Sequence, residues 1–68
     1  MFNKSKIIIL DNRIDIINYK YIDHFDNNKI IIKLDINNIF IYGNNLIISK
    51  LISDEVLISG NIDKIEFR

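Results

Sequence analysis

Isoleucine dominates this chain and falls in short runs that are separated by polar residues. Nineteen of the 68 residues are isoleucine, whereas alanine, threonine, glutamine, proline and tryptophan are absent. Isoleucine is branched at Cβ and favours strands, and the missing alanine and glutamine are among the better helix formers. No segment sustains the 3.6-residue period of a helix. The sequence therefore predicts an all-β fold.

Polar residues divide the apolar runs into six to eight short strands. Asparagine, aspartate, glycine and serine, which favour turns, stand between the runs. The predicted strands span residues 7–10, 13–17, 21–25, 29–36, 39–42, 46–52, 56–59 and 62–68. This spacing is typical of a small meander, a roll or a barrel-like sheet. A short β-solenoid fits the same spacing, and one helical turn within 46–51 or 54–59 is a further alternative.

Alternation of apolar and polar residues is clearest in the strand predicted at 29–36. One face of this strand carries Ile30, Ile32, Leu34 and Ile36. Asn37–Asn38 then predicts a tight turn, because asparagine tolerates positive φ better than most residues. The last strand departs from strict alternation, since Ile62 and Ile65 are three residues apart. This spacing predicts a bulge near Asp63.

The only two glycines of the chain predict turns in its last third. Gly43, Asn44 and Asn45 are expected to end one strand, and Gly60 with Asn61 is expected to form a hairpin-type turn. Glycine adopts positive φ without steric cost, and asparagine is the next best residue for that conformation. These five residues are therefore predicted as structural turns.

The length of the chain indicates a single small domain. We expect a short N-terminal tail at residues 1–6 and one all-β domain at residues 7–68. Such a short chain buries only about 60% of the surface that its unfolded form exposes, so additional stabilisation is usual. The chain has no cysteine, and His24 is its only histidine. A partner, or a second copy of the chain, is the remaining source of stability.

No residue pattern indicates an enzyme, a cofactor site or a metal site. The chain lacks cysteine and threonine, its serines lie in no nucleophile motif, and it has no glycine-rich phosphate loop. The segment Asp26-Asn27-Asn28 has some character of a calcium loop, but it lacks the glycine and distal glutamate of that motif. His24 is interpreted as a surface residue of a hairpin. We therefore predict no catalytic, cofactor-binding or metal-binding residues.

Charge and hydropathy argue against a nucleic-acid-binding protein and against a membrane span. Nine basic residues balance nine acidic ones, and no block of like charge exists. The longest uninterrupted apolar run, Ile7–Leu10, is far shorter than the roughly 20 residues of a membrane helix. It is also shorter than the apolar core of a signal peptide. We expect the chain to remain in the cytoplasm.

The isoleucine triplets at 7–9 and 30–32 indicate an interaction surface. Three consecutive isoleucines place apolar side chains on both faces of a strand, so the second face must meet another layer or another molecule. A 68-residue domain has little material for a second layer. The candidate interface residues are Ile8, Ile31, Phe40 and Tyr42. Self-association, or a protein partner, is therefore expected.

The aromatic residues allow a second hypothesis about function. Tyr21, Phe40 and Tyr42 could form a stacking platform for a small ligand or for single-stranded nucleic acid on a small β-barrel. Zero net charge and the scarcity of nearby lysines favour core packing and cross-strand pairing instead.

The pattern of these motifs resembles the YabP/YqfC family of small sporulation proteins of spore-forming Firmicutes. The similarity covers almost the whole chain and includes the I-x-G-x-x-L-x-I core and the closing G-x-I-x-x-I-x-[FY] motif of the family. The matching segments are Asn12-Arg13, 17–22, Phe25-Asp26 with 29–32, 39–48, Leu51 with 55–58, and 60–67. One departure is Asn37–Asn38, where the family usually has a glycine. The Asn-Tyr-Lys segment at 18–20 and the Ile-Glu-Phe ending are closer to the YqfC branch.

This resemblance implies a non-enzymatic role in sporulation. It implies expression in the mother cell, a position at the forespore surface, and an assembly or scaffold function in the forming spore envelope. The YqfC branch typically accompanies a membrane protein, YqfD, so the resemblance also implies a membrane partner. It carries over no catalytic residues.

Overall fold

The computed structural model describes residues 4–68, which form one antiparallel sheet of six strands. The strands are β1 (Lys6–Leu10), β2 (Arg13–Ile17), β3 (Tyr21–Phe25), β4 (Lys29–Lys33), β5 (Asn38–Ile52) and β6 (Glu55–Phe67). Their order in the sheet is β1-β2-β6-β5-β4-β3, and each neighbouring pair is antiparallel. The all-β prediction is confirmed, and no helix occurs in residues 4–68. The proposed helical turns at 46–51 and 54–59 are wrong, because strands occupy both segments.

The long hairpin of β5 and β6 joins two arms of the sheet. Arm 1 consists of β1, β2, residues 46–52 of β5 and residues 55–59 of β6. Arm 2 consists of β3, β4, residues 38–44 of β5 and residues 61–67 of β6. Strands β5 and β6 therefore belong to both arms, and each contributes one half of its length to each arm.

The two glycines lie at the junction of the arms and not at chain reversals. The prediction that Gly43, Asn44, Asn45, Gly60 and Asn61 form turns is wrong, because β5 and β6 run through all five residues. The pairing is irregular here, since the register shifts on both sides of the Asn44–Asn61 pair. These turn-favouring residues thus form a bend within a continuous hairpin.

Close contact between β5 and β6 explains why glycine is required at this bend. A Cβ atom on Gly43 would overlap the carbonyl oxygen of Asn61, and one on Gly60 would lie 2.5 Å from the carbonyl oxygen of Asn45. Gly60 also has a φ of 136°, which side chains of L-residues rarely adopt. Glycine therefore allows the two backbones to approach where the hairpin changes direction.

The inward side chains of both arms form one core. The buried cluster consists of Ile14, Ile16, Ile30, Ile32, Leu34, Ile39, Ile41, Leu46, Val56 and Ile58. A single flat layer leaves both of its faces open to solvent, so such complete burial requires that the arms cover each other. The bend in the β5–β6 hairpin thus allows one sheet to supply both layers of a core.

The turns of the two outer hairpins dock onto this bend. Gly60 donates its backbone N–H to the carbonyl oxygen of Asn12 in the β1–β2 turn, at 3.1 Å. Gly43 and Leu46 donate theirs to Asn28 and Asn27 in the β3–β4 turn, each at 3.0 Å. Backbone groups that the irregular pairing of β5 and β6 leaves free are satisfied in this way.

Two local predictions have opposite outcomes. The bulge near Asp63 is confirmed, because Tyr42 pairs with Lys64 and the next pair skips Asp63. The extent of the strand predicted at 29–36 is wrong, since β4 ends at Lys33 and residues 34–37 form the turn. Ile36 consequently lies at the tip of this turn and is 90% exposed, although its position in the alternation predicts burial.

The expected N-terminal tail is only partly covered by the structure. Residues 1–3 lie outside the described range, and β1 already begins at Lys6. Among residues 4–68 the structure contains no helix of the length and apolar character needed to cross a membrane.

Candidate functional site

The outer face of arm 2 carries three of the four residues predicted as an interface. In β4 and in residues 38–42 of β5 every second residue is fully buried, so Ile31, Phe40 and Tyr42 point away from the core and are only partly buried. Ile31 lies directly opposite Phe40 across the strand pair. The rings of Phe40 and Tyr42 stack with centroids 6.5 Å apart. We call these three residues the aromatic face.

Two cations and a carboxylate from β6 and the C-terminus hold the aromatic rings in place. The guanidinium carbon of Arg68 lies 4.6 Å from the ring centroid of Phe40, and Nζ of Lys64 lies 5.3 Å from that of Tyr42. Both cations also contact Glu66, with Arg68 Nη2 at 2.8 Å and Lys64 Nζ at 3.3 Å. Hydrogen bonds from Lys64 and Arg68 hold the pKa of Glu66 below its usual value. The rings of Phe40 and Tyr42 therefore each contact a cation of their own chain.

Four basic residues of β4, β6 and the C-terminus border the aromatic face. Lys29 and Lys33 flank Ile31 two residues away on either side, and alternation places both on the outer side of β4. Lys64 and Arg68 add two further cations over the rings, whereas Glu66 is the carboxylate among them. This face thus combines partly exposed apolar surface with a basic border.

Tyr21 lies on β3 in a different row from the aromatic pair. It is opposite Lys33, whereas Phe40 is in the row of Ile31 and His24. The structure therefore does not bring Tyr21, Phe40 and Tyr42 together as one continuous stack.

Ile8, the fourth predicted interface residue, lies in the other arm. It is in β1, at the opposite end of the strand order from β3 and β4, and its side chain is 40% exposed. Ile8 pairs with Asp15, whose side chain alternates away from the buried Ile14 and Ile16. The structure thus places the four candidate residues on two separate surfaces.

A carboxylate pair on the outer face of arm 1 was not predicted from the sequence. Asp15 and Glu55 lie on neighbouring strands β2 and β6, and Oδ1 of Asp15 is buried without a hydrogen-bond partner. A hydrogen bond with Asp15 raises the pKa of Glu55, and burial and repulsion by the same neighbour act in the same direction. Lys50 Nζ is 3.6 Å from Oε1 of Glu55.

The aspartate of the possible calcium loop has its oxygens engaged within the β3–β4 turn. Oδ1 of Asp26 accepts hydrogen bonds from the backbone N–H groups of Asn28 and Lys29, each at 2.8 Å. Oδ2 lies 2.9 Å from Nε2 of His24. The bond to His24 and the two backbone bonds lower the pKa of Asp26. Among residues 4–68, no group of three or more histidine, aspartate or glutamate side chains is placed to hold a metal ion.

The fold therefore defines a small all-β domain, made from one antiparallel sheet that is bent into two arms. A profile of the YabP family matches residues 3–68, and the chain belongs to this family. No curated protein matches the chain, and no solved structure matches it. The YabP family is related to sporulation and is not a known enzyme family.

Proposed function

We propose that this sporulation-related protein is a non-enzymatic assembly factor for the forming spore envelope. In this proposal it acts in the mother-cell cytoplasm at the forespore surface and is recruited there by a membrane protein of the YqfD kind. The observation that carries the proposal is the aromatic face, where Ile31, Phe40 and Tyr42 remain partly exposed. Apolar surface that stays in contact with water costs free energy, and a bound partner would remove that cost.

The composition of the aromatic face fits a protein partner. Aromatic residues and arginine are enriched in the cores of protein interfaces, and rigid side chains lose little entropy when they bind. The contacts of Arg68 and Lys64 with the rings restrict both the rings and the cations. The basic border favours a partner segment that combines apolar residues with carboxylates. We propose that the cytoplasmic part of the membrane protein supplies such a segment.

The proposal is tested by the position of a fluorescent fusion in sporulating cells. We expect a shell around the forespore that disperses when the gene for the membrane partner is deleted. We expect Ile31→Lys to disperse the signal in the same way, because it places a charge in the centre of the aromatic face. Leu51→Lys, at an exposed position of arm 1, is the matched control and should keep the shell. A diffuse signal from the unaltered fusion would refute the proposal.

Binding of single-stranded nucleic acid is a second candidate function, favoured by the cations around the aromatic face. Arg68 and Lys64 already cover one side of the Phe40 and Tyr42 rings, which leaves less ring surface for stacked bases. Titration with oligonucleotides at low salt tests this function, because electrostatic binding is strongest there. Quenching of tyrosine fluorescence would support it, and an unchanged signal would exclude it.

A further inference from the structure

Four strand segments in this sheet have only one hydrogen-bonded neighbour, and three of them contain a bulge. Asp23 interrupts the pairing of β3. Ser49 interrupts that of residues 46–52 of β5, and Asp63 interrupts that of residues 61–67 of β6. Bulges at sheet edges hinder pairing with another chain. The fourth edge, β1, pairs with β2 in unbroken register over Lys6–Leu10. Within residues 4–68, β1 is thus the edge that lacks this protection.

Strand β1 is also apolar on both of its faces. Ile8 and Leu10 point to the outer side of arm 1 and are 40% and 51% exposed. Ile9 pairs with the buried Ile14, so it points to the inner side, yet it is 52% exposed. Lys6 is the only charged residue of the strand. A strand added at this edge would cover apolar side chains on both faces.

The β1–β2 turn determines which backbone groups face the open edge. Only two residues separate Leu10 from its partner Arg13, so this closing pair exchanges backbone hydrogen bonds in both directions. Hydrogen-bonded and non-hydrogen-bonded pairs alternate along an antiparallel ladder, so Ile8 also directs its N–H and C=O groups toward β2. The N–H and C=O groups of Ile7 and Ile9 therefore point to the open edge.

We infer that a second copy of this chain pairs with β1 in antiparallel orientation, about a two-fold axis at Ile8. In this arrangement Ile8 lies opposite Ile8 of the second copy, and Ile7 lies opposite Ile9 of the second copy. The free backbone groups of Ile7 and Ile9 then form four hydrogen bonds across the axis. The two six-stranded sheets become one continuous sheet.

The charges at the two ends of β1 select this partner and this orientation. Lys4 and Lys6 stand at the start of the strand, and Asp11 follows its end. Antiparallel pairing about Ile8 places Asp11 opposite Ser5 of the second copy, between the two lysines of that copy. A parallel arrangement would place lysine beside lysine. Because a two-fold contact uses the same edge of both copies, it closes after two chains and leads to no fibre.

Single cysteine variants test the contact, because the chain has no cysteine of its own. In a non-hydrogen-bonded pair the Cβ atoms are about 4.5–5.5 Å apart, which is close enough for a disulfide after a small adjustment. We expect purified Ile8→Cys protein to form a covalent dimer under mild oxidation. Leu10→Cys is the matched control, since it lies on the same face with similar exposure. Two Leu10 residues would be about 13 Å apart along the strands, so this variant should stay uncrosslinked.

Charge exchange at the same position tests the two-fold register. We expect the unaltered protein to show a concentration-dependent dimer in sedimentation, and Ile8→Lys or Ile8→Glu alone to weaken it roughly tenfold or more. An equimolar mixture of the two variants should restore the dimer, because lysine then faces glutamate. Leu51→Lys, on the bulged edge of β5, should dimerise as the unaltered protein does.

Several results would overturn the inference. The first is an unaltered protein that is monomeric at every concentration. The second is equal crosslinking of the Ile8→Cys and Leu10→Cys variants. The third is a mixture of Ile8→Lys and Ile8→Glu that stays monomeric although both variants give native circular dichroism spectra. The inferred dimer adds a mode of self-association to the proposed assembly role, and the purpose of the dimer in the cell rests on that proposed function. The experiments use purified protein, so a failure to dimerise is distinguishable from a failure of the fusion to reach the forespore.

Discussion

Ile31 and Ile32 are neighbours on β4 that should respond in opposite ways to the same substitution. Ile32 is completely buried in the core, whereas Ile31 is partly exposed on the outer face of arm 2. We therefore expect Ile32→Lys to unfold the domain and Ile31→Lys to leave it folded while weakening the binding of the proposed membrane partner to the aromatic face.

The expected magnitudes differ by several kcal/mol. Replacing Ile32 by lysine removes about 1.5–3 kcal/mol of apolar burial and leaves an ammonium group without a partner, which costs several kcal/mol more. A 68-residue domain has a total stability of only roughly 3–10 kcal/mol. A lysine at position 31 can lie along Phe40 and extend its charge into water, so the cost should be about 1 kcal/mol or less.

Circular dichroism and urea denaturation measure this difference. We expect a disordered spectrum for Ile32→Lys, and for Ile31→Lys a native spectrum with a slightly lower urea midpoint. The milder pair Ile32→Ala and Ile31→Ala provides the control, with expected losses of about 2–5 kcal/mol at position 32 and about 1 kcal/mol or less at position 31. Equal loss of structure in the two lysine variants would refute the assignment of the two faces.

The remaining predictions concern the bend and two carboxylates. Gly43→Ala should destabilise the domain by more than about 1 kcal/mol in urea denaturation, because its Cβ meets the carbonyl of Asn61, whereas Ser53→Ala in the exposed turn should change stability little. Glu55→Gln should raise the urea midpoint at pH 7, because the raised pKa of Glu55 means that its ionised form destabilises the fold. This gain in the midpoint should vanish on acidification below about pH 4, where Glu55 is protonated in both the folded and the unfolded chain. A lower midpoint of the variant at pH 7 would contradict this. Glu66→Gln should lower the midpoint at pH 7 and match the unaltered protein in strong acid, since a lowered pKa gives stability that is lost as the pH falls; a pH-independent difference would contradict this.

Period-two patterns predict those parts of the fold in which burial is decided within one strand. Ile14 and Ile16 in β2, and Ile30 and Ile32 in β4, alternate with exposed or partly buried residues as their sequence spacing indicates. Each of these strands has one face toward the core, so the alternation of the chain alone identifies the buried side. The same reasoning places Phe40 and Tyr42 outside.

Features that depend on contacts between strands distant in sequence cannot be predicted from these local patterns. A glycine followed by asparagines, as at Gly43, fits a chain reversal and a bend within a strand equally well. The structure has a bend here, because the backbone of Asn61 in β6 approaches Gly43 closely. The Asp15–Glu55 pair requires the adjacency of β2 and β6, which local alternation does not specify. The exposed position of Ile36 follows from a turn that begins three residues earlier than the asparagines indicate.

The bend at the two glycines also explains why a chain this short retains isoleucine on its outer faces. Because β5 and β6 each serve both arms, one sheet supplies both layers of the core, and within residues 4–68 no further element covers the outer sides. In arm 2 the uncovered side is the aromatic face, and in arm 1 the uncovered edge is β1. Three other edges carry bulges that hinder pairing, so the regular, apolar edge at Ile8 is the exception that points to association with another chain.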